Sequence, residues 1–175
     1  ELCDQLDILL VIDEVQTGVG RTGTFFAYEG FGVKPDIVTM AKALGGGLPT
    51  GAVIASGKAA VFTPGKHGAT FGGNAVAASA ALAVLDQVAN PEFLADVSAK
   101  AELLKSKIPM DHPLVKEVRG IGLMLGIVVT VPPGDVAARA LELGLIVGTA
   151  GTNAVRLVPP LTVTAEEIQK AADLL

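Results

Sequence analysis

Residues 8–12 read Ile-Leu-Leu-Val-Ile, an unbroken apolar run with no polar residue alternating into it. A strand with one face in water alternates, whereas a strand covered on both faces does not. The run therefore predicts a strand inside a parallel sheet packed by helices. It stops at Asp13-Glu14, which places carboxylates at its carboxyl end. A Gly-rich loop, Gly18 to Gly23, follows. Asp36 to Met40 reads as a second strand ending just before Lys42. Gly45-Gly46-Gly47 and a third strand at Ala52 to Ala55 come next. The pattern is that of an α/β fold. Ligands of open α/β sheets collect beyond the carboxyl ends of the strands, and Asp13 and Lys42 both lie there.

Downstream, Ala75 to Ala89 is apolar almost all round and predicts a buried helix. Asn90-Pro91 stops it and can start the next helix, with Asn90 as N-cap and Pro91 in the first helical position. Residues 92–107 are amphipathic, and a domain boundary is placed near residue 90. The remainder reads as a small α/β unit. Val115 to Val118 and Leu123 to Val129 are expected strands joined by Arg119-Gly120-Ile121-Gly122, and Asp135 to Leu143 is a helix ended by Gly144. Val155 to Val158 is a short strand, and Thr164 with Glu167 forms a capping box for a last helix.

Composition excludes several classes. Half of the 175 residues are hydrophobic, too many for a disordered chain. The net charge is -5 with no run of Lys or Arg, so there is no electrostatic footprint for nucleic acid. The longest apolar stretch, around residues 75–89, is too short to span a bilayer and carries Asp86 and Gln87. No basic segment followed by an apolar one marks a signal peptide. The single cysteine, Cys3, permits no internal disulfide, fits a reducing compartment and reads as a small buried apolar residue. No metal site is expected. The chain opens abruptly on its first strand, as if preceding structure had been cut away.

Two residues carry chemistry. A lysine beside a glycine triplet at a strand end can meet a planar or phosphorylated ligand, because glycine lets backbone N–H groups approach without a Cβ in the way. Lys42 could bind phosphate as a point charge, form a Schiff base through its neutral amine, or be a solvated surface charge, and the motif alone does not decide. Asp13 ends a strand expected to be buried, and a buried carboxylate requires a partner. A helix N-terminus, a metal or an ion pair would serve. So would a protonated pyridine nitrogen, whose charge an ionised carboxylate would hold in place.

The stretch Asp13-Glu14-Val15-Gln16-Thr17-Gly18, then Gly20-Arg21-Thr22-Gly23, resembles the class III (ornithine-type) pyridoxal-phosphate-dependent aminotransferases. So do Lys34-Pro35-Asp36-Ile37, Ala41-Lys42-Ala43-Leu44-Gly45-Gly46-Gly47, and His67-Gly68-Ala69-Thr70-Phe71-Gly72-Gly73-Asn74. The spacing of Asp13 and Lys42 (42 minus 13, or 29 positions) suits that family, and the wording is closest to the acetylornithine aminotransferases. The departures are small: Ala43 for a frequent Gly, Met40 for a frequent Leu, and Ala75 for a frequent Pro.

The resemblance implies the C-terminal part of a fold-type I large domain, mostly parallel sheet with helices, over residues 1–89, and a small C-terminal α/β domain over residues 90–175. It implies pyridoxal phosphate as cofactor, with Lys42 as the Schiff-base and proton-transfer residue and Asp13 paired with the pyridine nitrogen. Val15 would pack on the ring, and Gln16 would bond near the ring hydroxyl. Thr70 would bind the phosphate across a homodimer interface, and Arg156 would grip the substrate α-carboxylate through a bidentate fork. Arg21 reads as a loop-ordering residue, Glu14 as orienting its neighbours without proton transfer, His112 as a turn residue, and Tyr28, Phe25, Phe26 and Phe31 as core.

The implied reaction is transamination of acetylornithine or a similar ω-substituted amino acid with 2-oxoglutarate, in cytoplasmic arginine biosynthesis. The alternatives are another class III enzyme (an ornithine or GABA aminotransferase, an aminomutase, a decarboxylating transaminase) or a non-catalytic truncated module. In the family an N-terminal segment supplies a phosphate loop, an aromatic residue over the ring and substrate-selecting contacts. The expectation is that these 175 residues alone are inactive, with apolar edges and faces left open.

Overall fold

The computed structural model describes all 175 residues, which form two compact units. The first comprises residues 1–20 and 24–93; the second comprises residues 21–23 and 94–175.

The first unit opens with a single helical turn, α1 (Leu2–Gln5), and holds a sheet of β1 (Val11–Asp13), β2 (Ile37–Met40) and β3 (Ala52–Ala55) in that order. β1 and β2 are parallel, with Asp13 opposite Thr39; β3 runs antiparallel to β2. Residues 8–10 of the apolar run are not strand. The Leu10 N–H donates to the Asp36 carboxylate (2.8 Å), and the Leu10 carbonyl takes the N–H groups of Asp36 and Ile37, so the segment enters the sheet through side-chain and turn bonds. The expected burial on both faces is also absent. Val11 is 55% exposed, and Ile8, Leu9, Val53 and Ile54 are exposed as well. β1 pairs along one edge only, and burial concentrates in the central strand at Val38 and Met40.

α2 (Ala75–Val88) starts where the sequence places it, with the Asn74 side chain accepting the Ala77 N–H at 3.0 Å. It is not the buried helix expected. Only Ala77 and Val88 are buried, while Val76 and Leu82 are exposed, because one side alone meets the unit. That side packs on the 3-10 turn Lys42–Gly45 that follows β2. Phe26 is buried, with Phe25 edge-on (4.7 Å) and Tyr28 stacked (5.1 Å), whereas Phe31 is exposed rather than core. Cys3 is half-buried.

The Lys42 turn closes on Gly46, whose φ of 57° is left-handed. A Cβ there would lie 3.0 Å from Val84 Cγ2 of α2. Gly46→Ala is expected to lower the unfolding free energy by about 1–2 kcal/mol, the cost of a left-handed L-residue, read from denaturant midpoints. An unchanged midpoint would mean that the turn relaxes away from the helix.

The second unit contains α3 (Pro91–Lys107) from Leu94 onward. The helix starts as expected, with the Asn90 side chain accepting the Glu92 N–H at 2.9 Å. β4 (Val115–Ile121), β5 (Met124–Val129), α4 (Pro133–Glu142), β6 (Gly148–Ala150), β7 (Ala154–Leu157) and α5 (Ala165–Asp173) follow. The sheet is antiparallel throughout, in the order β4-β5-β7-β6. Arg119 to Ile121, read from sequence as a connection, pair with Gly126, Leu125 and Met124; the link is the two-residue turn Gly122-Leu123. β6 was not legible in the sequence: Gly-Thr-Ala has no apolar period and forms by pairing with β7.

Leu123, Leu125, Val155, Val97 and Ile168 make the core of this unit. The capping box of α5 is as read, with Thr164 N–H to Glu167 (2.8 Å) and Glu167 N–H to Thr164 (3.2 Å). Arg21 Nη1 donates to the carbonyls of Leu123 (3.0 Å) and Pro159 (2.6 Å), which is the loop-ordering role expected of it.

Candidate active site

β1 and β2 run parallel and side by side, so their carboxyl ends open in the same direction. Asp13 is the last residue of β1. Thr39 sits opposite it on β2, and Lys42 begins the turn three residues later. Asp13 Oδ1 accepts the Val15 N–H at 2.9 Å and the Thr39 hydroxyl at 3.0 Å. These two bonds, Val15 first, hold the Asp13 carboxyl below its ordinary value of 3.8, and the positive charge of Lys42 adds to them. Asp13 is therefore a carboxylate at neutral pH. Its second oxygen, Oδ2, takes no hydrogen bond within the chain. Asp13 is exposed, not buried as read from sequence; the buried carboxylate is its neighbour Glu14.

Lys42 is exposed and makes no hydrogen bond or ion pair. Its φ is 43°, a conformation a lysine adopts only at a cost of about 1–3 kcal/mol. Strain of this kind is held in place by the surrounding turn, here by the Leu44 N–H to Ala41 carbonyl bond (3.0 Å) and by the Gly46 N–H to Ala43 carbonyl bond (3.1 Å). Val15 is half-buried and Gln16 exposed, on the turn after Asp13. Thr70 lies in an exposed stretch of the first unit and makes no hydrogen bond within the chain, and His67 is exposed there with its ring 5.9 Å from that of Phe62. His112 caps a turn through Nδ1, which accepts the Leu114 N–H at 3.2 Å.

Arg156 belongs to the second unit. It lies on β7, opposite Gly126 of β5 and Gly148 of β6. Its Nε is buried without a partner. A Cβ on Gly148 would stand 3.3 Å from that Nε, so the guanidinium fits because residue 148 has no side chain. Arg156 helps to line a cavity of about 430 Å³ with Leu104, Ile146, Val158, Pro160 and Ile168 among its apolar walls. Sequence reading missed Thr39 and Gly148. Thr39 could have been found from register, since two parallel strands ending in ligand residues put it opposite Asp13. Gly148 had no signal. No cluster of three His, Cys, Asp or Glu residues could hold a metal, and no helix is long and apolar enough to cross a membrane.

An α/β chain with an ionised aspartate and an unpartnered lysine at adjacent strand ends matches the family model of class III aminotransferases over residues 1–175, and the chain belongs to that family. It is 50% identical to the acetylornithine aminotransferase of Bacillus subtilis (strain 168) over 99% of its own length and 46% of that protein's. The acetylornithine aminotransferase of Corynebacterium efficiens is 52% identical, covering 100% and 44%. The crystal structure of N-acetylornithine aminotransferase from Stenotrophomonas maltophilia K279a superposes with a TM-score of 0.88 at 41% identity, over 99% of this chain and 47% of that one. The chain thus spans a little under half the length of these relatives.

Class III aminotransferases depend on pyridoxal phosphate. The donor set fits that group. Asp13 Oδ2 is a free anionic acceptor for a ring N–H, and Lys42 offers a primary amine that nothing else in the chain engages.

Proposed function

We propose that the protein acts as a pyridoxal-phosphate-dependent aminotransferase on acetylornithine or a similar ω-substituted amino acid, with 2-oxoglutarate as the acceptor. The observation that carries this reading is the pairing of an ionised, half-satisfied Asp13 with an unengaged Lys42. Asp13 would keep the pyridine nitrogen protonated, and Lys42 would hold the cofactor covalently and move the proton between the substrate α-carbon and the cofactor C4′ carbon. The bound cofactor supplies an electron sink for the α-carbon. Val15 would pack against the ring and Gln16 would bond near its hydroxyl. Thr70, exposed and unbonded within its own chain, would serve the phosphate of a partner subunit in a homodimer. Arg156 would take the substrate α-carboxylate, a role supported by its unpartnered buried Nε.

Residues 1–89 would form the C-terminal part of the cofactor-binding large domain, and residues 90–175 the small domain. A cytoplasmic location is part of this proposal and is supported only by the family resemblance. Because relatives are about twice as long, we further propose that the 175 residues alone do not turn over.

The test is glutamate formation from 2-oxoglutarate by the full-length, cofactor-loaded enzyme. It is expected to depend on acetylornithine, to exceed that with ornithine or 4-aminobutyrate, and to be absent for the isolated 175 residues. Arg156→Ala is expected to raise the KM of both donor and acceptor by about 100-fold, the weight of a charge-assisted pair, with the cofactor still bound. An enzyme that binds cofactor yet forms no glutamate from any such donor would sink the reading.

A further inference from the structure

Glu14 is the one buried charged residue, 1% exposed, and no cation pairs with it. Its carboxylate is satisfied by donors alone: the Thr17 hydroxyl gives to Oε2 at 2.5 Å, and the Tyr28 N–H gives to Oε1 at 3.0 Å. Its backbone is equally occupied. The Glu14 N–H donates to the Thr39 carbonyl at 2.9 Å, and the Gly18 N–H donates to the Glu14 carbonyl at 2.9 Å. A Cβ on Gly18 would come within 2.9 Å of that carbonyl, so the turn closes directly over the glutamate. Burying a carboxylate here costs more than burying an apolar side chain of similar size would. What the chain gains is a fixed shape.

The shape concerns the candidate site. Thr39 donates its hydroxyl to Asp13 and accepts the Glu14 N–H on its carbonyl, so one residue of β2 grips both acids. Glu14 then ties the turn forward to Thr17 and Gly18, and sideways to Tyr28. Asp13, Val15 and Gln16 sit on this framed turn. We infer that Glu14 is a positioning residue: its buried carboxylate, through Thr17 and Tyr28, sets the turn that aims Asp13 at the cofactor. It touches neither substrate nor cofactor. This inference rests on the proposed cofactor site.

The experiment compares Glu14→Ala, Glu14→Gln and Thr17→Val in the full-length enzyme. One readout is amide hydrogen exchange at Val15 and Gly18 in the cofactor-free protein; the others are the Kd for pyridoxal phosphate and the split between kcat and KM. Glu14→Ala is expected to speed exchange at both amides about tenfold or more, to weaken cofactor binding about tenfold, and to lower kcat while leaving the donor KM near its original value. Glu14→Gln is expected to recover most of each effect, because its oxygen can accept the Tyr28 N–H and its amide can donate to Thr17. Thr17→Val removes a single bond and is expected to give smaller effects of the same sign; it decides the matter if Glu14→Ala does not fold.

Unchanged exchange and unchanged cofactor affinity in these variants would overturn the inference. So would a Gln variant as damaged as the Ala variant, since charge rather than hydrogen-bond geometry would then be at work. If the unaltered enzyme binds no pyridoxal phosphate while exchange still responds to Glu14→Ala, the cofactor reading falls and the turn-holding role stands.

Discussion

Lys42→Ala is expected to abolish covalent cofactor attachment, seen as loss of the visible absorbance band, and to reduce transamination by at least about 10,000-fold, because both a nucleophile and an acid–base group are removed. Two features make this the largest single effect. The amine makes no hydrogen bond or ion pair, and its only effect within the chain is the charge it lends to Asp13, so its loss breaks no contact of the fold. Its position is also strained: φ at Lys42 is 43°, held by the turn bonds of Leu44 and Gly46 and by the packing of α2 on that turn. Alanine at the same φ keeps the strain, so stability should change by less than about 0.5 kcal/mol. Lys42→Gly should be as inactive but more stable, by about 1 kcal/mol, since glycine occupies positive φ freely. Together the two variants separate the amine's chemistry from its conformational cost. A Lys42→Ala protein that keeps the visible band would show that another lysine reacts and would sink the assignment. A Gly variant less stable than the Ala variant would mean that the turn is not strained at this residue.

The parts of this chain that were legible from sequence, and the parts that were not, differ for physical reasons. Asp13 and Lys42 could be found because each ends an apolar run and glycines follow within a few positions. The helix starts at Asn90 and Thr164 could be found because capping is local chemistry, whereas the start of α2 was read from its apolar run and the Asn74 cap appeared only in the structure. Burial was over-read in two segments, Ile8 to Ile12 and α2, and at the single residues Asp13 and Phe31. An apolar pattern records what a segment is suited to lie between, not what covers it, and here Ile8, Leu9, Val11, Val76 and Leu82 are exposed. β6 escaped because three small residues carry no period; its existence depends on β7. Thr39 escaped because a threonine in a strand is ordinary by β-propensity, and its bond to Asp13 appears only once the parallel register is known. The same holds for the acidic pair. Asp13 and Glu14 look alike in sequence, and only the turn shows that the first points out while the second is buried under Gly18.

Asp13→Asn should carry the second-largest loss, roughly 100- to 1,000-fold in kcat, the scale of removing one preorganised charge from a reacting centre. The substitution is nearly isosteric. Its oxygen can still accept the Val15 N–H and the Thr39 hydroxyl, so the turn should survive and stability should fall only slightly. What changes is the second position, where an anionic acceptor becomes an NH2 donor that could no longer accept the cofactor's ring N–H if Asp13 pairs with it as proposed. The pH dependence of the unaltered enzyme follows from the same geometry. Hydrogen bonds from Val15 and Thr39, with Lys42 adding its charge, depress the Asp13 carboxyl below 3.8. The stabilisation is therefore fully present above that ordinary value and lost only as pH falls through the lower folded one. Between roughly pH 5 and 9 Asp13 should contribute no inflection to the rate profile, and any inflection there must come from other groups. Asp13→Glu provides the positional control. It keeps the charge but moves it by one methylene, and should fall between the parent and the Asn variant. Activity of Asp13→Asn within about threefold of the parent would mean that the ring nitrogen needs no anion here, and that Asp13 serves only to order the turn it shares with Thr39.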